Sequence, residues 1–266
     1  SRRRSDTNVT FSGGLGVSRE FGGAKPQKVF ANIGYYRGEQ TLINSLDLQA
    51  YSVGAGLALR FRGFEITPTL GFDHVLLSQS TYLRDYWEGL RVSRRVLPRV
   101  QVFADFRHED QSFVRTRLVP NAMERTGHQW DMSVGANWVA TPRDRVGMTL
   151  GHRRKYALTV AQAYRRESLS LEYTRLLGRG MFLAAGFTTQ FDRYDRPDLT
   201  LGSQGRSDDA LIGQLMFGAP LSLIWKPLSG FNATLGYERF QQFSNLINYV
   251  YTNNRLTAMI SYKWGI

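Results

Sequence analysis

Residues 51–62 read "YSVGAGLALRFR". Tyr51, Val53, Ala55, Leu57, Leu59 and Phe61 alternate with Ser52, Gly54, Gly56, Ala58, Arg60 and Arg62. A period of two is that of a β-strand, whose successive side chains point to opposite faces. One face of this strand is apolar and tipped with aromatics; the other is small, polar and basic. The pattern recurs in "WDMSVGANWVA" (130–140), where Trp130, Met132, Val134, Ala136 and Trp138 share a face. It returns in "VGMTLGHR" (146–153), in "MFLAAGFTTQF" (181–191) and in the final "LTAMISYKWGI" (256–266).

Which face meets water decides the class. Strands are expected near 7–20, 27–37, 47–62, 64–77, 84–96, 99–110, 128–140, 145–156, 164–177, 180–194, 209–226, 231–243 and 254–266. Most exceed the five or six residues usual in soluble sheets, and they match the length of a tilted membrane-spanning strand. A soluble sandwich buries its apolar faces. Here the second face is rich in Gly, Ser, Thr and Asn with scattered charges, which suits a wet lumen, while the apolar face suits lipid. Hydrocarbon offers the backbone no hydrogen-bond partners, so the sheet must close. The expected fold is all-β: a transmembrane, antiparallel, up-and-down β-barrel of about 12–14 strands, one domain over residues 1–266, in the bacterial outer membrane.

The links support this reading. "RGF" (62–64), "RVLPR" (95–99), "ATPRD" (140–144), "LLGRG" (176–180) and "KPLSG" (226–230) read as short turns. "GEQTLINSLD" (38–47), "SQSTYLRD" (78–85), "QSFVRTRLVPNAMERTG" (111–127), "DRPDLTLGSQGRSDD" (195–209) and "QFSNLINYVYTNN" (242–254) read as long polar links. Short turns on the periplasmic side and long loops outside are the habit of such barrels. On this topology Leu57→Arg, facing lipid, is expected to destabilise and Gly56→Ser to be tolerated.

Composition narrows the function. Hydrophobic residues are 42% and mean hydropathy is −0.33, and no run approaches the roughly 20 apolar residues of a membrane helix. No signal peptide is visible, and the sequence opens at Ser1 rather than Met, so an upstream strand or periplasmic domain is expected. Cysteine is absent, which excludes disulfides, zinc–thiolate sites and a cysteine nucleophile. Net charge is +12, with arginine supplying 29 of the 34 basic residues; such a balance favours an anionic partner. The inward face carries Arg60, Arg62, Arg91, Arg95, Arg107, Arg153 and Lys155 together with Glu65, Asp73, Asp105, Asp131, Glu172, Asp192 and Glu238. Two readings stay open: a cross-lumen ion-pair network that stiffens the barrel, or a selective pore. In the second, a basic inner mouth draws in an anionic substrate or docks an acidic periplasmic partner.

Enzymatic readings are thin. His74, His108, His128 and His152 fall on different strands without metal-ligand spacing. No His-x-Ser motif of an outer-membrane phospholipase is present. Gly13, Gly14 and Gly16 sit in a strand rather than a phosphate loop. The aromatics lie opposite most arginines, which argues against nucleic acid. No catalytic residue, metal or cofactor is expected.

Two resemblances sharpen this. "YKWGI" resembles the C-terminal signature that outer-membrane proteins present to the barrel-assembly machinery: Tyr262 and Trp264 fit, and Ile266 replaces the usual terminal aromatic. The stretch from Asp208 and Asp209, through Pro227, Tyr237–Glu238 and Ser244–Asn245 to Tyr251, Asn254 and Arg255, resembles the last three strands of the surface lipoprotein assembly modifier family. It is similar also to barrels that follow tetratricopeptide domains in polysaccharide exporters. The resemblance covers about the last quarter of the chain and implies an export channel or translocon working with a periplasmic or outer-membrane protein partner. The alternatives are a non-conducting barrel anchoring an envelope complex and an uptake porin. Expected surroundings are outer-membrane lipid and lipopolysaccharide.

Overall fold

In the computed structural model, residues 8–23, 26–40, 47–199 and 203–262 are described. Their strands are β1 (Asn8–Phe21), β2 (Gln27–Gln40), β3 (Leu48–Phe61), β4 (Phe64–Leu77), β5 (Ser80–Leu97) and β6 (Val100–Phe113). There follow β7 (Gly127–Val139), β8 (Asp144–Lys155), β9 (Tyr164–Gly178), β10 (Met181–Tyr194), β11 (Ser207–Pro220), β12 (Phe231–Ser244) and β13 (Tyr251–Tyr262). All belong to one sheet whose spatial order is the chain order, an up-and-down meander. Among the described residues no helix is long and apolar enough to cross a membrane.

Polarity is inverted relative to a water-soluble domain. Among the described residues the buried apolar side chains are only Leu77, Ala122, Ala163 and Ala210, whereas Asp85, Ser93, Glu109, Thr116, Gln129, Lys155, Asp192 and Asp208 are buried. The apolar face stands open: along β3, Tyr51, Val53, Leu57 and Phe61 are exposed while Ser52 and Gly54 between them are covered. An exposed apolar face of this extent is a surface for lipid rather than water.

Turn chemistry explains the short connections. Arg62–Gly63 and Arg179–Gly180 are two-residue turns with positive φ at both positions, the primed geometry that matches strand twist. Two links depart from expectation. "SQSTYLRD" is not a long loop: β5 begins at Ser80, and only Ser78 and Gln79 connect it to β4. Residues 226–230 are not a tight turn but part of a ten-residue link with 3-10 turns at Leu221–Leu223 and Lys226–Leu228. Gly56 is also not free to take a side chain. A Cβ there would lie 2.5 Å from Phe30 Cζ and 2.9 Å from the Pro68 carbonyl oxygen.

The chain divides into two compact units. The first holds residues 1–94, 104–132 and 153–164. On its apolar face a string of rings runs across strands: Phe11–Tyr35 at 6.4 Å, Tyr35–Tyr51 at 5.2 Å, Tyr51–His74 at 6.5 Å and Phe72–Tyr86 at 4.7 Å between centroids. Such rings suit a membrane–water boundary. On its polar face Gly54, Gly71 and Trp87 are register partners on β3, β4 and β5. A Cβ at Gly71 would collide with the Trp87 ring, so the two glycines form the shelf on which that indole lies. The second unit holds residues 95–103, 133–152 and 165–266. Its strands β10–β13 pair without a bulge from Phe182↔Gly218 to Phe231↔Tyr262.

Candidate functional site

In the first unit, charged side chains from consecutive strands meet on the polar face. The Trp87 shelf carries the Arg107 guanidinium 4.3 Å above its ring. Arg107 Nε lies 2.6 Å from Glu109 Oε1, and its Nη2 lies 3.9 Å from Asp73 Oδ2. Glu109 Oε2 accepts from Gln111 Nε2 at 2.7 Å and from Gln129 Nε2 at 3.2 Å. Gln129 Nε2 also donates to Asp131 Oδ2 at 2.8 Å, and Arg153 Nε donates to Asp131 Oδ1 at 2.5 Å. Lys155 Nζ closes the chain by donating to Gln111 Oε1 at 2.6 Å. The result is a continuous polar network from β4 to β8. In a part-dry setting such networks rigidify what they join.

The sequence-derived basic residues are placed as follows. Arg60 pairs with Glu65 at 3.3 Å, and its backbone N–H donates to Gln27 Oε1 at 2.6 Å. Arg91 lies 3.6 Å from Asp105. Arg107 and Arg153 belong to the network above. Arg62 occupies the β3–β4 turn, with its guanidinium 5.0 Å from the Phe61 ring centroid, and Arg95 is exposed in the second unit. Tyr262 packs on Phe231 at 4.6 Å; Trp264 and Ile266 lie outside the described residues.

In the second unit the polar face is partly paired and partly hollow. Arg166 makes a two-pronged contact with Asp192 at 2.6 and 2.7 Å. Glu238 accepts from Gln214 at 2.6 Å and Arg255 at 3.1 Å. Glu172, Thr174, Gly186, Thr188 and Gln214 line a cavity of about 220 Å³ on β9–β11. Small side chains leave this stretch unfilled. Other polar contacts join the strands and loops of this unit. Asn245 Nδ2 donates to the Gly205 carbonyl, its Oδ1 accepts from Ser207 N, both at 2.8 Å, and Tyr237 donates to Asn254 Oδ1 at 2.8 Å. Arg206 bonds Asp208 and stacks 3.3 Å from the Tyr249 ring centroid, so Gly205 and Arg206 are held against residues 245–250.

Asp85, Trp87, Gln111 and Gln129 were not singled out by sequence. Asp85 falls where the link 78–85 and the expected strand 84–96 overlap; with the two-residue turn in place it becomes the register partner of Asp73. The glutamines carry no charge signal and declare themselves only as bridges. On the outward face His108 lies 3.5 Å from Glu88 and 4.2 Å from the Trp130 centroid. Among the described residues no His, Asp or Glu group is arranged to hold a metal.

No protein-family model and no curated protein matches the sequence. Among solved structures, OmpT of Vibrio cholerae, an outer membrane protein, aligns with TM-score 0.50 and 8% identity over 99% of each chain. Acinetobacter baumannii OccAB3 aligns with TM-score 0.46 and 11% identity over 87% of this chain and 73% of its own. The NanC porin aligns with TM-score 0.45 and 10% identity over 81% of this chain and 94% of its own. The all-β, antiparallel, up-and-down chain has the fold of a bacterial outer-membrane β-barrel protein.

Proposed function

We propose that the chain is an outer-membrane channel through which small polar solutes diffuse, the uptake-porin reading of the sequence. The observation that carries it is the polar face: charged and amide side chains line it, and over β9–β11 it leaves about 220 Å³ unfilled. Lipid covers the apolar face, and the aromatic string marks a membrane boundary. Fixed charges along such a passage tune what enters. The polar-face arginines of the first unit are largely matched by carboxylates, which fits a passage for polar solutes more readily than one specialised for a polyanion.

Planar-bilayer recording of the purified chain tests this. Ohmic steps are expected, and liposomes carrying the protein should swell in small sugars and not in large ones. A barrel closed to ions and sugars would overturn the channel reading and leave the non-conducting anchor. Conductance that appears only with a polymer or protein substrate would restore the export reading.

A further inference from the structure

At the loop end of the first unit, Leu77, Ser78, Ser80, Thr116, Arg117 and Leu118 line a hollow of about 390 Å³. That lies within the size range of small-ligand sites. Its rim contains an anomaly. Ser78 and Gln79 both have positive φ, 49° and 65°. The other turns of this type have glycine at their second position, Arg62–Gly63 and Arg179–Gly180, as left-handed backbone favours. A serine and a glutamine there carry strain that persists only when something else holds the turn, and such strain gathers at functional positions. Ser78 is held by its N–H, which donates to the Asp47 carbonyl at 2.8 Å.

The opposite wall is equally fixed. Thr116 Oγ1 accepts from Val119 N at 3.0 Å, Ala122 N donates to the Val119 carbonyl at 3.2 Å, and Ala122 is fully buried. Thr126 Oγ1 accepts from Phe113 N at 3.0 Å, and Arg125 Nη1 donates to the Tyr82 hydroxyl at 3.1 Å. The 114–126 loop is therefore a braced wall, the pre-organisation that lowers the entropic cost of binding. Among the described residues no carboxylate pairs with Arg117.

We infer that this hollow binds a small organic carboxylate with an apolar body. The Arg117 guanidinium offers the planar fork that matches a carboxylate. Ser78 and Ser80, which line the same hollow, carry hydroxyls able to donate to the same group. Leu77, buried, and Leu118, exposed at 40%, supply the surface for the apolar part. The inference gives the proposed channel an entry site. It rests on the channel reading only for its physiological role, since binding at equilibrium needs no conductance.

Titration calorimetry on the purified full chain in detergent tests it, with benzoate as probe and benzyl alcohol as its uncharged counterpart. Saturable benzoate binding is expected, at least tenfold tighter than benzyl alcohol. Arg117→Gln should weaken benzoate at least tenfold and Arg117→Lys less, because lysine keeps the charge and loses the fork. Leu118→Ser should weaken benzoate and leave acetate unchanged. Unfolding midpoints of the variants should equal that of the parent. Absence of saturable binding, equal affinity for benzyl alcohol, or unchanged binding in Arg117→Gln would overturn the inference. A chain that binds benzoate but carries no current would instead sink the channel reading alone.

Discussion

Leu57→Arg tests the lipid-facing assignment by its dependence on depth. Along β3 the apolar face runs from Tyr51 to Phe61. At about 3.3 Å per residue that stretch spans about 33 Å along the strand, and a tilt of about 40° projects it onto about 25 Å, the height of a barrel's apolar band. Leu57 then lies about 15 Å below Tyr51, within about 3 Å of the midplane by the same projection. Arginine near the midplane costs about 2–4 kcal/mol, falling to about 0–1 near an interface. Leu57→Arg should therefore lower the unfolding free energy in lipid vesicles by about 2–4 kcal/mol and Phe61→Arg by about 1 or less. Denaturant titration followed by tryptophan fluorescence reads both. Equal costs at the two positions, or no cost at Leu57, would refute the reasoning, because an aqueous surface has no depth.

Cysteine placed at Asn121 should react with an impermeant maleimide on whole cells and cysteine at Pro142 should not; the reverse pattern inverts the topology. Replacing Ser78–Gln79 by Asn–Gly should raise the unfolding free energy by about 1–3 kcal/mol as the left-handed strain is relieved, measured by the same vesicle titration. Gly71→Ala should destabilise by about 1–3 kcal/mol through overpacking, since Trp87 and the Val53 carbonyl occupy that space; an unchanged midpoint would mean the indole does not lie there. Arg62→Glu and Arg95→Glu, each alone, should shift the reversal potential in a salt gradient toward cations without changing heat-modifiable gel mobility.

Much of the architecture is legible from alternation. β4 is read at Phe64–Leu77 from sequence and lies there, because Arg62–Gly63 marks its start, a polar run follows Leu77 and its alternate face is apolar. The start of β5 is not legible. Neither Ser78 nor Gln79 favours left-handed backbone, so their positive-φ pair is imposed by neighbouring strands rather than announced by the residues. That one turn also hides Asp85. The charges on the polar face can be assigned to a face by counting in twos, but their partners cannot: Arg107 reaches Glu109 two residues along its own strand as well as Asp73 on β4, and only the register reveals the second contact. The hollow beside Arg117 depends on how the 114–126 loop folds back, for which periodicity carries no signal.

The network running from Asp73 to Lys155 has a bearing on how the chain finds its pairing. Its members come from five consecutive strands, and each must point inward for the next to be reached. Sliding any one strand by a single residue turns its whole polar set outward. For β7 that slip would move Gln129 and Asp131 into the hydrocarbon and leave Glu109 and Arg153 without their bonds. A misaligned intermediate is thus penalised twice, once in the lipid and once in the interior. The charged ladder favours the native register over sheets that are hydrogen-bonded but out of phase.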